Sequence, residues 1–207
     1  MSTAALTLQI RTFIAIALPA PVLAALVGVQ QQLATAQLPL RLSAPAGLHL
    51  TLAFIGEMPA VRGADLAAAV AQGVAGIDPF TLRAEGHGMF PNARAPRVVW
   101  VGVQGDPAAM AALTTVRQGI VRTLAAAGFP TDPRFDPHLT LARVADRATP
   151  ADRARIGATV QALPAFPPVA FGVDGISVMR SDQQAGGAVY SRLAYVALGA
   201  GTAPAEG

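Results

Sequence analysis

The pentapeptide HLTLA occupies residues 49–53 and recurs, letter for letter, at residues 138–142. The chain has only three histidines, and two of them lie inside these copies. A composition rich in alanine and leucine makes repetition of those letters common, but it does not set histidine and threonine at the same offset twice. The repeat therefore predicts that two parts of the chain share one structural plan.

The elements predicted around the two copies follow the same order. Each part contains a strand, a helix, the HLTLA strand, a second helix and a pair of strands, which makes the repeat about ninety residues long. That length is far beyond a solenoid unit and predicts two related lobes instead of an array. Hairpin-like pairs of strands mixed with helices favour antiparallel sheets in an α+β fold.

Prolines, glycines and capping residues set the predicted boundaries. We expect helices over residues 21–36, 61–77, 107–128 and 150–163. Strands are expected over 8–18, from 49, over 79–86 and 97–103, from 138, and over 169–179 and 189–198. No linker is long enough to separate independent domains. We therefore expect one domain over residues 1–198 and a flexible small-residue tail over 199–207.

The composition is that of a globular protein with a sizeable core. Of the 207 residues, 53% are hydrophobic and 13% are charged, so the chain has enough apolar surface to bury. It contains no cysteine, which excludes a disulfide framework, a thiolate metal site and a cysteine nucleophile. This composition fits a reducing compartment, and we expect the protein in the cytoplasm.

The basic residues number fifteen, all of them arginine, against twelve acidic residues. The net charge of +3 is too small for a protein that coats nucleic acid. Arginine is nevertheless the side chain best suited to phosphate, because its planar fork donates two parallel hydrogen bonds. Any polyanion would therefore be bound locally.

An uncharged stretch over residues 12–29 approaches the length of a membrane span or of the apolar part of a signal peptide. Pro19 and Pro21 interrupt it at its middle, and Arg11 is the only charged residue before it. These features favour a strand, a turn and a helix. We therefore expect no association with a membrane.

Alternation along a strand places His49 and Thr51 on one face and the two leucines of the motif on the other. The leucines would be buried in the core. The imidazole and the hydroxyl would stand about 6 to 7 Å apart along the strand, which is roughly the width of a bound phosphate. His138 and Thr140 repeat the pair, so facing lobes would bring two imidazoles and two hydroxyls into one cleft.

Such a set suits the hydrolysis of a phosphodiester without a metal ion. The reaction needs a base for the attacking oxygen, an acid for the leaving oxygen and donors for the phosphoryl oxygens. Imidazoles titrate near pH 6.5, so one can be neutral while the other is protonated. Each well-placed acid or base contributes about 10²- to 10⁴-fold, which favours an activated ester such as a strained cyclic phosphate.

A zinc site is the rival interpretation of the two histidines. Neither motif contains an acid or a cysteine, which leaves too few ligands for a first coordination shell. The chain also has no lysine for a phosphate-binding P-loop and no GxSxG motif. We therefore expect neither a metal nor another cofactor.

The paired HxTx motifs resemble those of the two-histidine phosphoesterases, and specifically the LigT-like RNA 2′,3′-cyclic phosphodiesterases, formerly called 2′-5′ RNA ligases. The likeness extends over nearly the whole chain. It includes RTFIAIALP, PAGLHLTLAFIGE, PFTLRAEGHGMFP, RVVWVGV, AAAGFPTDPRFDPHLTLAR and a closing strand with Tyr190 and Arg192.

The resemblance implies a bilobal α+β fold with duplicated antiparallel sheets, helices on the outer faces and a central cleft. It also implies opening of a 2′,3′-cyclic phosphate to a 2′-phosphomonoester, with reverse 2′-5′ ligation as a second capability. By analogy, His49 is the proton donor to the 3′ oxygen and His138 the proton acceptor from water, while Thr51 and Thr140 bind the phosphate. The residues themselves predict two roles without assigning them.

Arg143 is a further candidate phosphate-binding residue. Strict alternation points it away from Thr140, so this role requires the strand to end or bend there. His87 falls in the loop expected over residues 87–96 and stays outside the predicted site, because a solvated loop histidine explains it better than a substrate contact. Phe90 and Phe135 could stack on a base, but packing between the lobes explains both equally well, so they also stay outside the site.

The expected partners are RNA ends or small cyclic nucleotides that carry a 2′,3′-cyclic phosphate. We expect no obligate protein partner and a monomer. The alternative is a non-catalytic protein that binds RNA ends in the same cleft, which a measurement of turnover would distinguish.

Overall fold

The computed structural model describes residues 8–132, 134–184 and 187–199, which fold into an antiparallel sheet and four α-helices. The nine strands within this part of the chain are β1 (Gln9–Ala17), β2 (Leu40–Leu42), β3 (His49–Pro59), β4 (Phe80–Phe90), β5 (Val98–Gln104), β6 (His138–Val144), β7 (Val169–Val173), β8 (Gly175–Gln184) and β9 (Gly187–Ala197). The helices are α1 (Ala20–Thr35), α2 (Gly63–Gly73), α3 (Pro107–Ala126) and α4 (Pro150–Gln161). Of the tail expected over residues 199–207, only Gly199 belongs to the described residues.

The sheet order is β7-β4-β5-β6-β3-β1-β8-β9, so the two HLTLA strands are neighbours at its centre. β3 and β6 are antiparallel and pair through Leu50 and Leu139. Farther along β6, β2 occupies the same edge and pairs with residues 142–144. The sheet thus has a first half (β3, β1, β8 and β9) and a second half (β6, β5, β4 and β7), which meet at the leucine pair. The expected α+β fold with a duplicated antiparallel arrangement is confirmed.

The duplication extends to an irregularity of the backbone. The ladder of β1 with β3 and the ladder of β5 with β6 both skip one residue directly after the threonine of the motif. Leu52 and Leu141 are therefore β-bulges at the same position of the two copies. A bulge reverses the alternation beyond it, so Phe54 and Arg143 return to the face that carries the histidines.

The halves of the sheet do not coincide with the two copies in the sequence. The second half is built from the continuous segment 80–173, whereas the first half combines strands from residues 9–59 and 175–197. The hairpin partner of β5 is β4, which comes from the end of the first copy. Each copy therefore contributes strands to both halves, a crossing that the order of predicted elements does not reveal.

Several predicted boundaries were wrong, and the helix expected over 61–77 spans only Gly63–Gly73. The single strand expected over 169–179 is divided at Asp174, because β7 pairs with β4 while β8 pairs with β1 in the other half of the sheet. The loop expected over 87–96 begins later, since β4 continues to Phe90 against β5. The three-residue strand β2 was not predicted, because so short a segment has no measurable periodicity.

Side-chain caps fix the beginnings of two helices where the sequence predicts them. Asp106 accepts a hydrogen bond from the backbone N–H of Ala109 (2.7 Å) at the start of α3. Thr149 and Asp152 form a reciprocal capping box at the start of α4. No helix of the described residues is long and apolar enough to cross a membrane.

The core lies between the helices and the leucine side of the HLTLA strands. Leu50, Leu52, Leu139 and Leu141 are at most 2% exposed and pack with buried residues from all four helices. The opposite face of these strands carries the histidines and threonines, which are only half-buried. The alternation predicted for the motif is therefore confirmed as far as the bulge.

The contact between the two halves gives a prediction about stability. Leu50→Ala and Leu139→Ala should each lower the free energy of unfolding by about 2–5 kcal/mol, because each leaves a cavity in a close-packed core. Since the two side chains flank the same junction, their effects should not add in the double variant. Urea unfolding of the three variants measures this, and strictly additive losses would contradict a shared junction.

Candidate active site

A cleft of about 1490 Å³ opens on the face of the sheet opposite the core. The five residues predicted to form the site all line this cleft: His49, Thr51, His138, Thr140 and Arg143. The leucine pair between β3 and β6 sets His49 across from Thr140, and Thr51 across from His138, one step along each strand. The four side chains are therefore arranged with approximate twofold symmetry.

Arg143 lies on the cleft face because of the bulge at Leu141. Strict alternation predicted the opposite face, and the register shift after Thr140 explains the difference. The Arg143 side chain is exposed and belongs to the lining of the cleft. Its use as a phosphate ligand stays a prediction.

Each histidine ring is fixed by a backbone carbonyl two residues before it. Nδ1 of His49 is 2.7 Å from the carbonyl oxygen of Gly47, and Nδ1 of His138 is 2.6 Å from that of Asp136. A carbonyl only accepts hydrogen bonds, so Nδ1 carries the proton in both neutral rings. Nε2 is then the free atom of each ring, a base when the imidazole is neutral and an acid when it is charged.

The threonine hydroxyls are available to a ligand. Among the described residues, neither Thr51 nor Thr140 hydrogen-bonds through its side chain to another group of the protein. A hydroxyl can both donate and accept, so each can donate to a phosphoryl oxygen. The four side chains thus offer two proton-transfer groups and two neutral donors.

The surroundings of the two histidines differ. The ring of His49 stacks on Phe13, with centroids 4.6 Å apart, and meets the edge of Tyr190 at 5.4 Å. His138 has one aromatic neighbour of this kind, Phe90, in an edge contact at 5.0 Å. The aromatic rings remove more water from His49 than from His138.

This burial lowers the pKa of the His49 imidazole below its usual value. The hydrogen bond to Gly47 acts in the opposite direction, and repulsion from His138 lowers the pKa further. Without a bound anion, the neutral form of His49 is therefore favoured near neutral pH. A negatively charged phosphate beside the ring would raise the pKa, because it stabilises the imidazolium.

We predict that an NMR titration will find the midpoint of His49 below about 6.5, the usual value for histidine. Addition of inorganic phosphate should move it upward, because the dianion stabilises the charged ring. A Phe13→Leu variant should also raise it by admitting water to the ring. A midpoint above 6.5 in the ligand-free protein would contradict the desolvation described here.

Gln30 on α1 hydrogen-bonds to the backbone of the second motif from the core side of the sheet, a contact that the sequence analysis did not predict. Its side-chain amide donates to the carbonyl oxygens of Ser43 and Leu141, both at 2.8 Å. The Ser43 hydroxyl in turn donates to the carbonyl oxygen of Thr140 (2.8 Å). Gln30 is only 4% exposed, so these bonds are shielded from water and fix the bulge beside Thr140.

A signal for Gln30 is present in the sequence. Val22, Leu26 and Leu33 form the buried stripe of α1, and Gln30 falls on the same stripe at helical spacing. A glutamine at a core position requires hydrogen-bond partners. The identity of those partners follows only from the fold.

Gln30→Ala should lower the free energy of unfolding by about 1–3 kcal/mol, because the half-buried carbonyl of Ser43 loses its side-chain donor and that of Leu141 keeps only the backbone N–H of Ser43. Gln31→Ala is the matched control, since Gln31 is the neighbouring exposed residue on the same helix. Denaturant unfolding of both variants tests this. Equal, small effects would show that the amide of Gln30 does not hold the bulge.

Arg117 has a related role beside the second histidine. It is buried on α3, and its guanidinium donates to the backbone carbonyl of Asp132 and lies 5.5 Å from the ring centre of Phe135. Burial lowers the pKa of Arg117, which the nearby Asp132 opposes. These contacts tie the segment leading to His138 against the helix.

Of the three residues left outside the predicted site, one lines the cleft and two do not. Phe90 lines the cleft, whereas Phe135 packs against the core beside Arg117. His87 lies within β4 rather than in a loop and is not among the residues that line the cleft. Within the described residues, no group of three or more His, Cys, Asp or Glu side chains could hold a metal ion.

A family model described as the 2′-5′ RNA ligase superfamily matches residues 22–185. The chain belongs to this superfamily, as its resemblance predicted. The match includes both HLTLA copies and the two neighbouring strands that they form.

Curated relatives carry the name RNA 2′,3′-cyclic phosphodiesterase. The one from Thermus thermophilus is 35% identical over 199 residues, which cover 91% of this chain and 90% of that protein. A relative from Geobacillus stearothermophilus is 40% identical over 96 residues, and here the match spans only 29% of that protein and 46% of this chain. The structure is similar to that of E. coli LigT complexed with 3′-AMP, with a TM-score of 0.71, 26% identity and coverage of 93% and 99% of the two chains.

Proposed function

We propose that this protein is a phosphodiesterase that opens 2′,3′-cyclic phosphate ends of RNA or nucleosides to 2′-phosphomonoesters, using its own side chains for proton transfer. The observation that carries the proposal is the geometry of the two motifs. Each presents an imidazole whose Nδ1 is bound to a carbonyl and whose Nε2 is free, next to an unpaired threonine hydroxyl. The names of the curated relatives agree with this activity.

The reaction is an attack by water on the cyclic phosphorus. Neutral His138 accepts a proton from the water at Nε2 as the new P–O bond forms. The bond from phosphorus to O3′ breaks, and protonated His49 donates its Nε2 proton to that oxygen. The product keeps the phosphate on O2′. Water supplies the hydroxyl on phosphorus. The proton that it gives to His138 balances the proton that leaves His49, and exchange with solvent returns both histidines to their starting forms.

Thr51 and Thr140 donate to the non-bridging oxygens, where negative charge accumulates in the transition state. Arg143 adds a cation on the same face of the cleft. Because these donors are held by β-strands, they keep their positions during the reaction. Phe54, a half-exposed aromatic in the cleft lining, offers a face on which a nucleobase can stack.

The acid role of His49 requires its protonated form, whereas burial lowers its pKa. Binding of the anionic substrate raises that pKa, since the phosphate stabilises the imidazolium. Substrate binding and protonation of His49 are therefore coupled. Two groups in opposite protonation states also give a bell-shaped dependence of turnover on pH.

The coupling predicts a difference between two pH profiles. The limb of kcat/KM that is set by His49 reports the free protein and should lie below about pH 6.5, at the lowered pKa of His49, while the corresponding limb of kcat should lie higher. Steady-state kinetics on a nucleoside 2′,3′-cyclic phosphate measure both. If the limb that matches the His49 pKa found by NMR lies at the same pH in both profiles, substrate binding and protonation of His49 are not coupled.

The activity is tested with a nucleoside 2′,3′-cyclic phosphate in excess EDTA, followed by separation of the 2′ and 3′ monophosphates. The 2′ product should form despite chelation. His49→Ala and His138→Ala should each lower kcat by about 10²- to 10⁴-fold, and the double variant should lose little more. His87→Ala, which removes the third histidine from outside the cleft, should retain activity.

Undiminished hydrolysis by the His138→Ala protein would refute the mechanism. Absence of product from both the nucleotide and a short RNA with the same end, together with binding of that RNA, would identify a non-catalytic RNA-end-binding protein. In this proposal the protein acts as a monomer in the cytoplasm on RNA or nucleotide substrates.

A further inference from the structure

The positive charge of the chain is concentrated in the cleft. Two aspartates, Asp132 and Asp146, line the cleft together with six of the fifteen arginines. The rest of the chain then has nine arginines against ten acidic residues. The net formal charge of the residues that line the cleft is therefore larger than that of the whole chain, because the remainder of the chain is slightly negative. The six arginines are Arg11, Arg41, Arg97, Arg134, Arg143 and Arg153.

Four of these arginines form a row that starts on β2, crosses β6 to the residue before β5 and ends on α4. Arg41 on β2 lies directly opposite Arg143 on β6. On the other side of β6, Val98 of β5 pairs with Arg143 and follows Arg97. Arg153 of α4 completes this arginine row at Pro96, whose carbonyl accepts a hydrogen bond from it (2.7 Å).

The fold does not neutralise the arginine row. Like charges directly opposite on neighbouring strands destabilise a sheet. The ion pair of Arg41 with Asp146 is short at 2.5 Å, but the side chains are 63% and 95% exposed, so it contributes little. Arg97 and Arg143 have no acidic partner among the described residues. The row therefore keeps charge that a bound polyanion would compensate.

The first half of the sheet lacks the row at the equivalent positions. The matched ladders and bulges make Phe54 the counterpart of Arg143, and Thr12 the counterpart of Arg97. Packing of the fold is thus compatible with an aromatic ring and a threonine at these places. The arginines of the second half are not required by the strand geometry that both copies share.

The arginine row extends beyond the reacting phosphate. Three adjacent strands cover about 10 Å between the outer two, and the guanidinium groups lengthen this reach. One cyclic phosphate beside the histidines cannot contact all four arginines of such a row. The surplus suits a second phosphate group, and guanidinium is the side chain that pairs best with phosphate.

We propose that the arginine row binds internucleotide phosphates next to the reacting end, so that the preferred substrate is an RNA chain of several nucleotides rather than a mononucleotide. This inference rests on the proposed function. It names the longer substrate, assigns its backbone to the second half of the cleft, and gives Arg41, Arg97 and Arg153 a role in recognition that the chemistry of the two motifs does not require.

The test compares a nucleoside 2′,3′-cyclic phosphate with a tetraribonucleotide that carries the same end. The protein should have a higher kcat/KM for the tetranucleotide. In the double variant Arg41→Gln, Arg97→Gln, the ratio of the two kcat/KM values should fall about tenfold, since two exposed guanidinium groups no longer pair with the RNA backbone. Arg122→Gln, on the exposed surface of α3 outside the cleft, should leave the ratio unchanged.

Binding supplies a second readout that does not depend on turnover. Fluorescence anisotropy with a 2′-O-methyl tetranucleotide ending in a 3′-phosphate should give a salt dependence whose slope falls in the double variant. The expected decrease is about 0.7 for each phosphate that an arginine no longer neutralises, the value for single strands. Thermal unfolding of the double variant should match the unmodified protein or exceed it, because a like-charge pair has been removed.

The outcomes separate the two proposals. The role of the arginine row is refuted if the protein turns over the mononucleotide and gains nothing with the tetranucleotide. It is also refuted if the ratio of kcat/KM values is unchanged in the double variant. In both cases the proposed phosphodiesterase activity stands. An equal loss on both substrates also overturns it, because the arginines then act at the reacting phosphate. No turnover of either substrate refutes the enzyme, and the salt dependence of binding then decides whether the row holds RNA.

Discussion

The antiparallel contact between the two HLTLA strands is the constraint on which the rest of the molecule depends. Leu50 and Leu139 pair at the centre of the sheet and are fully buried. Their burial determines which face of each strand points away from the core, and hence where the histidines and threonines lie. A slip by one residue would turn both motifs into the core. The packing of two leucines thereby sets the geometry of the whole site.

The sequence predicted the face of each motif and the caps of two helices, because these depend on local spacing. It did not predict the bulges at Leu52 and Leu141, since a bulge is a property of pairing between strands and leaves the letters HLTLA unchanged. Alternation alone would place Arg143 on the other face, and its predicted role depended on a bend that the bulge at Leu141 supplies. The partners of Gln30 were equally inaccessible, because they are more than ten residues distant in one case and more than a hundred in the other.

Similar motifs are placed here in dissimilar surroundings. The backbone treats the two histidines alike, with the same carbonyl contact and the same bulge after each threonine. The side chains around them do not, since Phe13 and Tyr190 cover His49 while the second half of the cleft carries arginines. Duplication supplies two equivalent imidazoles, and divergence of the neighbours lowers the pKa of His49 and gives the two rings different access to water.

The crossing of strands between the copies bears on the origin of the fold. Each half of the sheet needs strands from both copies, so a chain with one copy would leave open sheet edges and only one HLTLA histidine. Such a chain could complete the arrangement as a symmetric homodimer, in which each subunit lends a strand to the other. The twofold relation of the HLTLA strands is the relation that such a dimer would have. In a single polypeptide the two copies need not be identical, so one half of the sheet can surround its histidine with aromatic rings while the other half carries arginines.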